Sequence, residues 1–432
     1  MRVLFLDPPS PPGFVSFRHA HGGLGEFCHE SRLKIPTLDL HHAAAWALAE
    51  GAAVSVVDSV LLDHRPEEAV AAVKSARPGL IAVRTASGSL PHDLAVGLRA
   101  KKAAGASLVF FGPQAALERE ALLAAGADGV VLGDAPPVFA AVARAGRLKP
   151  MTGLALPGRP APAPRLLADV DALPVPRWDL VDYRRYSYLT TQTAWGCPVG
   201  CHYCAYPVTQ GKSVRARSAA SVTAEFSTLR DRYRPPFVLL RDPFFTLDRG
   251  RALALCAALE AAGAPLLWGC ETRLEALDEV LAAALARAGC IRVMFGVESV
   301  TPARLRGVGR APLSAPRIRA QVALLKRHGM LTYAFYILGL PGETASEARR
   351  TIDFALSLGT DAASFSAATP FPGTPLAETA RALLRAPDPL HLTSSVASLS
   401  SGPLDAPAVD ALRREAKERW KQRKRPAPAL SR

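Results

Sequence analysis

Short apolar runs alternate with helical periods along the first 145 residues, and this alternation restricts the chain to a parallel α/β architecture. "VLFLD" (3–7), "AVSVVD" (53–58), "LIAVR" (80–84), "SLVFFG" (107–112) and "GVVLG" (129–133) read as strands. Helical stretches follow: "LDLHHAAAWALAEG", "PEEAVAAVKSA", "PHDLAVGLRAKKA" and "APPVFAAVARAG". A return to the sheet through a helix gives parallel strands with crossovers. Five such units predict a doubly wound, flavodoxin-like domain over residues 1–147. Its ligand belongs at the carboxyl ends of the strands, near a topological switch point, which puts Pro8, Ser87, Gly112 and Gly133 at one rim.

Residues 148–185 are proline-rich and aperiodic and read as a connector. The alternation then resumes. "SYLTTQTAW", "FVLLRD" (237–242), "LLWGCET" (266–272), "IRVMFGVES" (291–299), "TYAFYILG" (332–339) and "AASFSAAT" (362–369) read as strands with helices between them. Six βα units over residues 186–378 predict a partial (β/α)6 barrel with its chemistry at the strand carboxyl ends.

Residues 379–432 form a basic extension. Residues 413–432 hold nine Lys or Arg and two Glu, a net +7, which is half of the chain's +14. The remaining excess is thinly spread, so the body is not expected to bind nucleic acid. In the extension, Val409, Leu412, Ala416 and Trp420 share one helical face. It reads as a solvated helix, a docking helix for an electron donor, or a weak membrane-surface contact through Trp420. On these readings, deleting residues 405–432 leaves the chemistry intact. No uncharged run is long enough to span a bilayer and no secretory leader is evident, so a cytoplasmic location is expected.

Three of the seven cysteines fall within "GCPVGCHYCAYP", at Cys197, Cys201 and Cys204, spaced C-x3-C-x2-C directly after a strand. In a reducing compartment such a group points to a metal site rather than to disulfides. Structural zinc wants four protein ligands, and His202, adjacent to Cys201, could be the fourth only through a contorted loop. A four-iron cubane held by three thiolates leaves one iron open to a substrate or cofactor, and the spacing favours the cluster. Cys28, Cys256, Cys270 and Cys290 lack cluster spacing and read as loop or core residues, although Cys270 at a strand end could face a cavity.

The loop, with Tyr203 before its last cysteine, resembles the signature of radical S-adenosylmethionine (SAM) enzymes. "LLRDPFFTLDRGRALALCAAL", "CETRLEAL", "FGVESVTPARL", "YILGLPGET" and "TPFPGTPL" are similar to strand-end motifs of the subgroup with an N-terminal cobalamin-binding domain. "FFGPQAALERE", "GVVLGDAPPVF" and "DALPVPRWDLVDYRRY" resemble that domain and its connector, so the likeness covers nearly residues 1–378. Phe111 departs from the family's usual glycine, and Asp134 from its usual Glu.

The resemblance implies a 4Fe-4S cluster on Cys197, Cys201 and Cys204, with SAM on the open iron and cobalamin at the rim of Pro8, Ser87, Gly112 and Gly133. It implies reductive cleavage of SAM to a 5′-deoxyadenosyl radical, then methylation of an unactivated carbon in a small-molecule, saccharide or natural-product substrate. Flavodoxin or ferredoxin would supply the electron. Tyr203, Asp242, Arg273, Glu298, Gly339 and Pro370 are the implied SAM contacts. Asp242 could instead cap a helix, Arg273 and Glu298 could pair with each other, and Gly339 could serve an ordinary turn. A non-methylating radical rearrangement or cyclisation remains open, as does, more remotely, a zinc module that binds nucleic acid.

Overall fold

The computed structural model describes residues 1–29, 31–263, 266–380, 392–400 and 402–423. These form two compact units, Met1–Leu189 and Thr190–Arg432.

The first unit is built on a six-stranded sheet. Its order is Ala53–Asp58, Arg2–Asp7, Leu80–Arg84, Ser107–Phe111, Gly129–Val131 and Leu154–Ala155. The first five strands are parallel and the last is antiparallel. Strand periodicity sorts the apolar residues onto two faces. Phe5, Leu80, Ala82, Val109, Phe111 and Val131 pack beneath helices Leu38–Ala49 and Ala135–Ala145. Leu4, Leu6, Ile81, Val83, Leu108 and Phe110 face helices Pro66–Ala76 and Leu90–Ala104. Phe111 is fully buried and meets Phe5 and Phe139 edge-on, with ring centroids 6.3 and 5.3 Å apart. The aromatic that departs from the usual glycine is therefore a core residue of this unit.

The proline-rich stretch is part of this unit rather than a free linker. Leu154–Ala155 extends the sheet, and a two-residue strand is too short to show periodicity in sequence. Further along, Trp178 is fully buried against His41 (4.6 Å between rings), and the Tyr186 hydroxyl donates to Asp58 at 2.5 Å.

The second unit carries a parallel six-stranded sheet in the order Ala362–Ala367, Leu331–Leu338, Cys290–Glu298, Trp268–Thr272, Val238–Leu240 and Leu189–Thr191. Spatial order follows chain order with helices between the strands, the arrangement of a partial β/α barrel. Leu331–Leu338 alternates strictly between buried and half-buried positions.

Helix Ala406–Gln422 corrects the reading of a peripheral tail. Asp405 caps it by accepting from Ala408 N at 2.8 Å, and Val409, Leu412 and Ala416 are buried. Arg413, 5% exposed, donates to Phe365 O (3.1 Å), Ser395 O (2.6 Å) and Asp410 (2.8 Å). Arg419 pairs with Asp353 at 2.7 Å, and Trp420 meets Phe365 at 6.2 Å. Arg413 and Arg419, counted in the cationic excess, thus serve as barrel contacts, while Arg414, Lys417 and Lys421 are exposed. The cations at 424, 425 and 432 lie outside the described residues. Among the described residues, no helix is long and apolar enough to cross a membrane.

Candidate functional site

Strand Leu189–Thr191 continues into the two-residue strand Ala194–Trp195, which pairs antiparallel with Arg215–Ala216 and brackets the cysteine loop. Two buried glutamines fix its entry. Gln192 Nε2 donates to Ala194 O (2.9 Å) and to Gln210 Oε1 (3.1 Å), and Gln210 Oε1 accepts from Gly196 N (3.3 Å). Gly196 has φ +87°, and a Cβ there would strike Ser213 O, so only glycine fits the turn into Cys197. Cys197 N donates to Gly211 O at 3.1 Å and Cys204 N to Cys201 O at 3.1 Å, which coils the cysteines into a compact loop. The His202 backbone is held on both sides, donating to Val308 O (2.9 Å) and accepting from Leu376 N (3.0 Å).

All three loop cysteines are free thiols, with Cys197 and Cys201 buried and Cys204 half-buried. Burial pushes the Cys197 thiol up, with Cys201 adding and Arg273 opposing. Burial likewise pushes Cys204 up to about 12, with both neighbouring cysteines adding to the shift. Among the described residues no three His, Cys, Asp or Glu side chains converge closely enough to hold one metal ion. Thiolates of a cubane bind separate irons and stand wider apart than ligands of one ion. Three thiols on one loop, none in a disulfide, fit an iron–sulfur cluster by ligand type.

Beside the loop, strand Cys290–Glu298 ends irregularly. Its pairing shifts between Gly296 and Glu298, and Glu298 takes φ +64°. A non-glycine residue in that region costs about 1–3 kcal/mol and persists only where its surroundings hold it. Glu298 is 7% exposed, lies beside the Tyr203 hydroxyl, and faces Arg310 at 3.8 Å. Burial raises its carboxyl, against the pull of Arg310 and Arg273. Arg310 Nη1 also donates to the Tyr203 hydroxyl at 3.4 Å, and Nη2 donates to Gly296 O. Arg310 escaped the sequence reading because it follows Gly309 in an aperiodic segment; the only sign of it was a cation after a turn.

The other expected contacts divide. Arg273 donates to Glu275 (2.6 Å) and lies over Phe244 (5.9 Å), so it and Glu298 have separate partners rather than each other. Asp242 is fully buried and accepts from Thr193 N (2.6 Å) and Oγ1 (2.5 Å). It thereby anchors the strand that enters the cysteine loop, while Asp248 caps the following helix. Gly339 N donates to Glu343 at 2.6 Å, and its Cα faces Val409 of the C-terminal helix. Pro370 is buried in the turn after strand Ala362–Ala367. Cys256, Cys270 and Cys290 are buried in the core, and Cys290 Sγ donates to Arg292 O at 3.5 Å.

In the first unit, Pro8, Ser87 and Gly112 are buried at the strand ends and Gly133 is exposed. The N-terminal loop folds over them through the hairpin Val15–Phe17 and Glu26–Cys28. Arg18 reaches Pro8 O (2.7 Å), Pro9 O (3.0 Å), Asp7 (2.7 Å) and Asp93 (2.7 Å). Arg84 reaches Asp39 (2.7 Å), Gly23 O (3.0 Å) and Thr85 O. Ser87 Oγ donates to Gln114 at 3.1 Å. Gly112 abuts Arg84, and Gly133 bridges to Arg165. The hydroxyls of Ser59 and Thr85, beyond strands Ala53–Asp58 and Leu80–Arg84 on either side of Arg2–Asp7, are buried with no partner among the described residues.

Comparison with known proteins bears on both units. Residues 193–355 match the sequence model of the Radical SAM superfamily. An uncharacterised methyltransferase of Pyrococcus horikoshii is 28% identical over 398 residues, 88% of this chain and 83% of its own length. An anaerobic magnesium-protoporphyrin IX monomethyl ester cyclase of Rubrivivax gelatinosus is 29% identical over 49% of this chain and 39% of its own length. The fold is that of the radical SAM methyltransferase TsrM from Kitasatospora setae, solved with cobalamin and a 4Fe-4S cluster bound. The TM-score is 0.71 at 21% identity, over 89% of this chain and 76% of that one.

Proposed function

The chain belongs to the radical SAM superfamily, and on that premise we propose that it is a cobalamin-dependent methyltransferase acting on an unactivated carbon of a small molecule. The observation that carries this reading is the loop of three free, crowded thiols closing one end of a parallel barrel sheet. When bound, the cluster supplies the electron that cleaves SAM, and cobalamin supplies the methyl group. Everything else falls to the chain's own residues.

Cys197, Cys201 and Cys204 would hold the cluster; burial raises the Cys197 and Cys204 thiols, and bound iron would supply the positive charge that favours thiolate. Glu298, buried, and Arg273, half-buried and of opposite sign, hold the zwitterionic methionine end and the ribose of SAM through charge-assisted bonds. Tyr203 orients Glu298, and Pro370 borders the adenine. Asp242 acts through Thr193, setting the strand that delivers the cysteines, and Gly339 admits the C-terminal helix beside the same rim. In the first unit, Pro8, Ser87, Gly112 and Gly133 cradle cobalamin. The unpartnered hydroxyl of Thr85 at the switch point, and that of Ser59 beyond the edge strand, suit a polar ligand at this rim. Flavodoxin or ferredoxin fits the role of reductant.

Anaerobic reconstitution tests the reading. It expects four irons per chain, 5′-deoxyadenosine from SAM under reduction, and cobalamin retained near one per chain. Protein without iron overturns it entirely. Iron and SAM cleavage without cobalamin would leave a radical enzyme and remove methyl transfer. The likeness to a cyclase favours a second reading, radical cyclisation. Product mass separates the two, because methylation adds one methyl group and cyclisation adds none.

A further inference from the structure

Resting on the reading above, we propose that Arg310 is a positioning residue: it ties the cysteine loop to the Glu298 carboxylate and holds that carboxylate in place for the amino or ribose group of SAM. The segment bearing Arg310 is zipped onto the loop. Val308 O accepts from His202 N at 2.9 Å. Gly309, at φ +68°, lies so close that a Cβ would sit 2.6 Å from Gly200 O and 2.9 Å from His202. Only glycine permits that approach. Arg310 N then turns back onto Leu305 O at 2.9 Å, which aims the side chain at the strand end.

The guanidinium meets three groups there: the Tyr203 hydroxyl between Cys201 and Cys204, the Gly296 carbonyl, and the Glu298 carboxylate. These partners belong to two elements that the chain joins only remotely. A planar fork of donors can hold several acceptors in fixed relation, which an ammonium cannot do. Glu298 needs such a hold, because its left-handed backbone conformation is not self-supporting. Gly296 is shaped for the same arrangement, since a Cβ there would collide with Glu298 Oε1. Arg310 is 9% exposed, so the link is made out of reach of bulk water.

The test uses full-length, anaerobically reconstituted enzyme with Arg310→Met, Arg310→Lys, Glu298→Gln and the double variant Arg310→Met/Glu298→Gln. Arg310→Met is expected to keep wild-type iron content and the wild-type electron paramagnetic resonance spectrum of the reduced cluster without SAM. Its KM for SAM in 5′-deoxyadenosine formation rises by roughly 10- to 100-fold, the range for removing a buried charge-assisted partner. Its kcat changes less, and the SAM-induced change in the spectrum needs correspondingly more SAM. Arg310→Lys recovers part of the loss, and the double variant is no worse than Glu298→Gln alone. A KM for Arg310→Met within about twofold of wild type, loss of iron from soluble Arg310→Met, or additive effects in the double variant would each overturn the assignment. Should Arg310→Met not fold, Arg310→Lys combined with Glu298→Gln carries the same test, and additivity again overturns it. Wild-type enzyme without iron would sink the proposed function itself, whereas normal wild-type SAM cleavage with an unaffected Arg310→Met sinks this assignment alone.

Discussion

Both parallel sheets gather charge at their strand carboxyl ends, and they dispose of it in different ways. In the first unit the charges are closed upon one another: Arg18 between Asp7 and Asp93, Arg84 between Asp39 and nearby carbonyls, all beneath a loop of the same unit. In the second unit the rim stays reactive. Three thiols form no disulfide, and a glutamate is kept buried on strained backbone beside them. The first rim thus keeps only neutral groups, such as the unpartnered Ser59 and Thr85 hydroxyls, for a ligand, whereas the second keeps thiols and a strained carboxylate.

The largest expected effect separates the two rims outright. Cys201→Ala should abolish bound iron and 5′-deoxyadenosine formation, while circular dichroism and the unfolding of the first unit stay near wild type. Retained iron would break the comparison. A chain ending before Ala406 comes next. It removes the buried side chains of Val409 and Leu412, each worth about 1.5–3 kcal/mol, together with the buried Arg413 contacts. It should be largely insoluble or melt far below the full chain, and a truncated enzyme of normal stability would show the helix to be dispensable. Arg18→Met addresses the first rim. Leaving Asp7 and Asp93 buried without their cation should cost about 3–5 kcal/mol in urea unfolding, with iron per folded chain unchanged.

The smallest effect concerns pH. Burial, reinforced by Asp7, raises the Asp58 carboxyl to about 7, and burial lowers His41 to about 3. Between the ordinary carboxylate pKa and 7, folding keeps a proton on Asp58 that the unfolded chain has lost, so this group's stabilisation drains as pH rises. His41 acts oppositely: it is neutral when folded and protonated when unfolded below 6.5, so its stabilisation drains as pH falls. The two slopes offset each other in the native protein. Asp58→Asn should uncover the His41 slope, adding about 1.4 kcal/mol of stability per pH unit between roughly pH 4 and 6.5. An unchanged pH profile of unfolding would show that Asp58 is not protonated in the folded state.

The sequence carried the alternation and the cysteine loop because both are local. A strand such as Leu80–Arg84, buried along its whole length, is a continuous apolar run that needs no distant partner to be recognised. The three thiols announce themselves by spacing alone. Arg310, Gln192 and Gln210 were illegible because each acts across a loop on a partner fixed only by the fold. The tail was misjudged for a related reason. Charge is countable in a sequence, but the Phe365 and Ser395 carbonyls that absorb Arg413 are not. Asp242 was placed at the right strand end, yet its oxygens go to Thr193, a partner with no motif to advertise it.

Strand Ala362–Ala367 borders the barrel sheet, and groups along it are engaged by later chain: Phe365 O by Arg413, and Ala367 N by Ser394 O. On the ribosome that margin emerges first and waits bare until its cover is translated. A stalled or nicked nascent chain would therefore display a raw β-border, apt to recruit a second copy into intermolecular pairing, so faithful completion of synthesis doubles as protection against aggregation.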